Sequence, residues 1–288
     1  MNNGILTQYQ LPVAMPYGLL GDPAPVPLID RAYSYDSDAA SYIRRVESAD
    51  GAPLELAVRV AINNFVLGCK TDGIWTAIKA SCILAGARTL PGALVPLTGT
   101  APTNFNFVSG DYNRKTGLVG NGSTKYLNSN RNSNADPQNS QHIVVYASTA
   151  TTAAFGFFPT YIGAGRNANG ICGIGRIENN GQLFGRNRSS DFNLLGGGSD
   201  TGLIGANRSS SLNFVFRRSK SNTTYTRTSQ TPFNGNFFIY AVNDGGNPFA
   251  DSWVNGRLAF YSIGESLDLA LLDARVTTLI NDFGAVIP

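Results

Sequence analysis

Residues 115–134 read KTGLVGNGSTKYLNSNRNSN, with glycines crowded just ahead of Ser123, Thr124 and Lys125, the residue types that hold a phosphate. In a phosphate loop the lysine directly follows the last glycine, so that backbone amides wrap the phosphates while the ammonium reaches the terminal ones. Here Ser123 and Thr124 stand between Gly122 and Lys125, and the Asn- and Ser-rich run that follows is a poor start for a helix. The stretch reads as a glycine turn between strands, with Gly120 and Gly122 allowing the bend and Tyr126 and Leu127 beginning to pack.

Nucleophilic catalysis would have to use His142, the chain's one histidine, which opens the strand-like HIVVYAS, and no G-x-S-x-G elbow supplies a poised serine. Glycoside hydrolysis needs two facing carboxylates, which on a sandwich usually means acids at alternate positions of one strand. The acids of the β-like region stand singly: Asp111, Asp136, Glu178, Asp191, Asp200, Asp244, Asp251 and Glu265. A pair would have to be assembled from separate strands. Cys69, Cys82 and Cys172 are too few and too scattered for a disulfide framework or a zinc site, and no acidic cluster suits calcium. The expectation is therefore a non-enzymatic chain with no cofactor and no metal, its thiols buried in a protein assembled under reducing conditions.

Three stretches share a spacing of 20 residues: GRNANG from Gly165, GRNRSS from Gly185 and GANRSS from Gly205. In an antiparallel meander that interval takes two strands and two turns, which would set equivalent turns along one edge. Asn167, Asn187, Arg188, Asn207 and Arg208 would then form an exposed row of amides and guanidiniums, suited to sugar hydroxyls or a neighbouring protein. The alternative is that glycine and asparagine serve the turns themselves.

Composition favours a turn-rich β protein. Glycine supplies 32 of 288 residues, more than the usual ~7%, and charged residues make up 14%, below the usual quarter or so. A net charge of +3 does not call for a polyanionic partner, and Arg217, Arg218 and Lys220 read as a solvated strand end rather than a nucleic-acid site. The N-terminal residues lack the basic start of a secretory signal, and no apolar run reaches the length of a membrane span.

The elements that would carry these residues divide the chain into four. Residues 1–35, with Pro12, Pro16, Pro23, Pro25 and Pro27, suit an extended arm. Residues 36–90 predict three helices: one capped by Ser37 or Asp38 and stopped by Gly51, one from Pro53 with Leu54, Ala57, Val58, Ala61, Ile62 and Phe65 on one face, and one over 71–86 with Ile74, Ile78 and Cys82 aligned. Over 91–265, turn clusters separate short β-branched and aromatic runs, the pattern of a sandwich or jelly roll. The segment 266–288 predicts a helix capped by Ser266 and stopped by Gly284, whose stripe Leu269, Leu272, Val276, Leu279, Ile280 and Phe283 packs on the sandwich.

Three stretches carry a resemblance: VESADGAPLELAVRVAINNFVLGCKTDGIWTAIKASCILAGARTL, LVPLTGTAPTNFNFVSGDYNRKTGLVGNGSTKYLNSNRN and GRLAFYSIGESLDLALLDARVTTLI. With them, residues 36–288 resemble virion structural proteins of tailed phages, of the cyanophage type. The resemblance implies a concanavalin A-like or laminin-G-like jelly-roll sandwich, preceded by the arm and a small helical attachment subdomain and closed by the C-terminal helix. It further implies a tail fibre, tail appendage or capsid decoration, assembled in the host cytoplasm, with other virion proteins as partners and a homo-oligomer, by analogy a trimer. Adhesion to a host-surface glycan is compatible with it; nucleic-acid binding and membrane insertion are not expected. A stand-alone lectin-like module and, further off, a polysaccharide-degrading enzyme are the competing readings.

Overall fold

The computed structural model describes residues 34–152, 158–166, 169–177, 182–196 and 200–288. The expected arm, apart from its last two residues, lies outside them, as do Asn167 and Glu178. Two antiparallel sheets face each other. The first runs β14 (Ser221–Thr226), β13 (Asn213–Arg218), β12 (Gly202–Arg208), β7 (Gln141–Thr149), β18 (Arg257–Gly264), β1 (Ile78–Ile83) and β2 (Pro96–Thr98), with β5 (Gly117–Val119) joining β18 and pairing β4 (Tyr112–Asn113). The second runs β11 (Asn193–Leu195), β10 (Leu183–Ser189), β9 (Ile171–Arg176), β8 (Thr160–Ala164), β15 (Asn236–Ile239), β6 (Tyr126–Asn132) and β3 (Thr103–Phe105). The hairpin of β16 (Val242–Asp244) and β17 (Asn247–Pro248) joins the second sheet through a parallel pairing with β8. The expected mainly β jelly-roll sandwich with a C-terminal helix is the architecture found.

Period-2 alternation decides which side chains fill the space between the sheets. Ile143, Val145 and Ala147 of β7, Ile204 and Ala206 of β12, Phe214 and Phe216 of β13, Cys172 and Ile174 of β9 and Phe237 and Ile239 of β15 all point into that core. Residues of opposite parity on the first sheet, Val144, Leu203 and Phe260, belong to a second core shared with the helices.

That second core is built by α1 (Ser37–Asp50), α2 (Leu56–Thr71) and α4 (Leu269–Val286) lying on the outer face of the first sheet. The cap of α1 is Asp36, whose carboxylate accepts from the Asp38 amide at 3.0 Å, and Gly51 closes the helix in the left-handed region as expected. Phe65 of α2 meets Phe260 of β18 edge to face at 5.9 Å. The stripe read on α4, Leu269, Leu272, Val276, Leu279, Ile280 and Phe283, is buried, but Asp268 is the cap and Gly284 does not stop the helix, which runs on to Val286. Residues Tyr35–Pro288 form one compact unit, so the helices are a layer of the sandwich rather than a separate attachment subdomain.

The third expected helix is not formed. Gly73, at φ 71°, ends the helical path after α2, a single 3-10 turn covers Trp75–Ala77, and Ile78–Ile83 becomes β1 between β18 and β2. Intervals of four between Ile74, Ile78 and Cys82 fit a helix face and, being even, fit one face of a strand equally well. A bulge between Ile78 and Ala80 then turns Ile78 to the helices and Ala80 and Cys82 to the inter-sheet core. The sandwich therefore begins before residue 91. A short four-residue helix, α3 (Leu90–Ala93), capped by Thr89, stands at the expected boundary.

Candidate ligand-binding face

The residues singled out for chemistry are occupied with structure. Around the glycine turn, the Asn121 side-chain oxygen accepts from the amides of Ser123, Thr124 and Lys125 at 3.1, 2.9 and 3.1 Å. The amides that would cradle a phosphate are thus consumed by an Asx turn, and the Lys125 ammonium is paired with Asp111. Gly122 sits at φ 71° and Leu127 is fully buried, as a turn leading into β6 requires.

His142 is fully buried. Its Nδ1 lies 2.6 Å from the Glu265 carbonyl, which can only accept, so Nδ1 carries the proton and Nε2 accepts from the Ser262 hydroxyl at 2.7 Å. Burial pulls the imidazole down to about 4, against the raising effects of the Glu265 carbonyl and Asp136. Five of the described acids face cations rather than each other: Asp111 with Lys125, Asp136 with Arg131, Asp200 with Arg176, Asp244 with Arg166 and Glu265 with Lys79. Among the described residues no group of three or more His, Cys, Asp or Glu could hold a metal ion.

The amide and guanidinium row is brought together, but inside the molecule. Asn187, Arg188 and Arg208 are fully buried and Asn207 is 8% exposed. Gly185 and Gly205 are not turn residues: they sit within β10 and β12, where a Cβ would come within 2.1 Å of the Phe216 ring or 2.8 Å of Val144. Arg208, on the first sheet, donates to the carbonyls of Asn187, Ser210, Asn213 and Arg227, while Arg188, at a bulge of the second sheet with φ 48°, donates to those of Ser133, Asp136 and Pro137. The Asn187 amide donates to Ala206 O at 3.2 Å, and Asn207 Oδ1 accepts from the Leu267 amide at 2.9 Å. These four residues fasten the seam where the sheets converge and have no surface to offer. Burial, with Arg188 nearby, pulls Arg208 down to about 10.

The two outer faces differ. The first sheet is sealed by α1, α2 and α4, whereas those three helices contribute nothing to the core that the second sheet shares, which of the described helices only α3 reaches, through Leu90. On β9, Cys172 and Ile174 point inward, which leaves Gly173 and Gly175 facing out, and Gly173 pairs with Gly163 of β8. This strip of bare backbone makes room for Phe184 of β10, whose ring would lie 2.6 Å from a Cβ on Gly175. Phe184, Phe158 and Phe192 cluster with ring centroids 5.8–6.0 Å apart. With Thr160, Val242, Phe249, Arg166 and Arg186 they line a cleft of about 250 Å³. Phe192 is 37% exposed.

Beyond Val242 a second depression is lined by Asn128, Asn234, Asn236 and Asn243 with Phe233 and Phe238. An aromatic row continues from it: Tyr126 stacks on Phe105 at 4.3 Å, almost parallel, and meets Phe238 at 4.8 Å and Trp253 at 5.9 Å. The open face thus combines flat rings, which cover apolar faces, with amides that both donate and accept. Sequence reading missed these residues. The signal was the alternation in GICGIGR and LFGRNRS, which places Phe184 and Arg186 opposite Asn187 in parity and hence on the outer side.

No protein-family model and no curated protein matches the sequence. Solved structures with some likeness include the NanB sialidase of Streptococcus pneumoniae, at TM-score 0.35 and 12% identity over 48% of this chain and 24% of that one. A Trypanosoma rangeli sialidase gives 0.41 and 10% over 84% of this chain and 38% of that one, and domains LG4-5 of the mouse laminin alpha1 chain give 0.33 and 10% over 61% and 47%. The chain therefore spans about a quarter of the length of the pneumococcal enzyme.

Proposed function

We propose that this chain is a non-catalytic surface protein of a tailed-phage virion that adheres to host-surface glycans through the outer face of its second sheet. The single observation that carries the adhesive part is the inequality of the two sheet faces. One is sealed by helices; the other presents an aromatic cleft, an amide-lined depression and a stacked aromatic row, the combination of flat apolar and bidentate polar groups that a saccharide needs. The virion setting rests on the resemblance of residues 36–288 to phage structural proteins. In that setting the helix-covered side, with its exposed Leu56, Leu67 and Leu271, faces the other virion proteins and the open face looks outward.

A glycan array probed with the intact protein tests the adhesive part: binding that is lost in Phe192→Ala supports it, and silence across the array removes it. Mass spectrometry of purified virions tests the setting, and absence of the chain from the particles removes that. Prolonged incubation with capsular polysaccharide separates this reading from the enzymatic one, since a binder leaves the chain length of the polymer unchanged.

A further inference from the structure

We infer that the cleft between Phe184, Phe192 and Phe249 takes an acidic saccharide, whose carboxylate is received by the guanidinium groups of Arg166 and Arg186. This rests on the adhesive reading above and names the chemical class of its ligand.

Arg186 projects from the outer side of β10 and is only partly exposed. Its Nε donates to the Ser189 carbonyl at 2.7 Å and its Nη2 to the Ser190 carbonyl, both neutral acceptors. No described carboxylate forms an ion pair with it; Asp191 acts on it only at longer range. Burial accordingly lowers its pKa, the mark of a desolvated cation without a full counter-charge. A half-buried charge of this kind is costly until an anion joins it. Two carbonyls hold the fork in place in advance, so a ligand carboxylate would meet a pre-oriented partner.

Arg166 supplies the second cation on the same cleft. Its guanidinium lies 3.4 Å above the centre of the Phe249 ring. Its carboxylate partner, Asp244, is 3.6 Å away, with the two side chains 42% and 41% exposed. A loose, solvated pair of that sort contributes little and can admit a second carboxylate, whereas the cation–π contact with Phe249 holds the guanidinium in place. On the same cleft the phenyl groups of Phe184 and Phe192 offer an apolar bed for the faces of a sugar ring. Two guanidiniums over an aromatic floor recognise a carboxylated sugar and give a neutral one no reason to prefer this end of the face.

The test uses the intact protein and oligosaccharides of galacturonate, mannuronate and glucuronate, each matched with its carboxyl-reduced neutral form, in calorimetric titrations. The expected result is at least one acidic member bound about tenfold more tightly than its neutral counterpart, with the preference shrinking as salt is raised from about 50 to about 500 mM. R166Q, at an exposed position where the fold is not at stake, should remove most of that preference, and R186K should weaken it because an ammonium lacks the planar fork. Equal binding of acidic and neutral forms, or an acid preference unchanged in R166Q, overturns the inference while leaving glycan adhesion standing. Absence of binding to every acidic and neutral member overturns the inference, and if the glycan array is also silent, adhesion falls with it.

Discussion

The Arg208 guanidinium donates from Nε and Nη2 to the backbone carbonyl of Asn187, at 2.9 and 2.7 Å, and so ties β12 of one sheet to β10 of the other. Its Nη1 and Nη2 also reach the carbonyls of Ser210, Asn213 and Arg227, all at 3.0 Å. An arginine satisfied entirely by neutral carbonyls works as a cross-brace, and removing it strands several acceptors at once. Arg208→Ala should destabilise the fold by about 3 kcal/mol or more, and Arg208→Lys should recover little because one ammonium cannot span four carbonyls. Chemical denaturation of the two variants checks this; a loss under about 1 kcal/mol in Arg208→Ala would count against the brace.

The glycines of the 20-residue repeat make a graded prediction. A Cβ at Gly185 would stand 2.1 Å from the Phe216 ring, packed in the inter-sheet core, while at Gly205 it would meet Val144 at 2.8 Å and Leu269 at 3.0 Å. Gly185→Ala should cost about 1–3 kcal/mol and exceed Gly205→Ala, whose neighbours are ends of aliphatic side chains. Thermal melts of both give the order directly, and a reversed order would contradict the packing described.

His142 gives the pH dependence a definite sign. Its folded pKa of about 4 lies below the ordinary value of 6.5, so the unfolded chain binds the proton more readily. The contribution of the neutral imidazole is fully present above pH ~6.5 and is lost as pH falls towards ~4, by at most about 3 kcal/mol. His142→Asn should be less stable at neutral pH, having lost fitted hydrogen bonds, yet flatter between those limits. Denaturation curves for the two proteins across that range would refute the assignment if their slopes coincide.

The thiols should be silent in the native protein. Cys69, Cys82 and Cys172 are all fully buried, and burial pushes the first two up to about 12 and raises the third. Since the thiolate is the reactive form, Ellman's reagent should titrate none of them before denaturant is added and all three after. Rapid labelling of a native thiol would place that cysteine elsewhere.

On the open face, Phe192 is both exposed and part of the phenyl cluster. Phe192→Ala should lower affinity for a bound glycan about tenfold with a melting temperature close to that of the parent, because Phe192 belongs to neither hydrophobic core. A variant that melts much earlier would move Phe192 from the binding surface into the scaffold.

Much of the fold was legible because its signals are local. The period of α1, α2 and α4 and the β-branched and aromatic runs of β7, β13 and β18 are written in neighbouring residues, and they led to the right element types. The error over 71–86 arose where a spacing of four satisfied two periods, and only pairing with β18, far along the chain, decided between them. The candidate site failed for a related reason. Asn187, Arg188 and Arg208 are polar, and their types argue for the surface; what holds them inside is a set of carbonyls from Ser133, Asp136, Pro137, Ser210, Asn213 and Arg227 that no local pattern announces. Parity within LFGRNRS was the available clue, and it pointed to Phe184 and Arg186 instead.

The placement of β1 beside β18, and of α2 against α4, constrains how the molecule can be made. The earliest helices and the first strand leave the ribosome long before their partners are synthesised, so the middle strands emerge onto a sheet that still lacks its central neighbour. Closure waits for Phe283, whose ring fills the space beside Gly86. A nascent chain halted before that point would hold an apolar face that α4 has yet to cover, which makes this helix the latch of the sandwich.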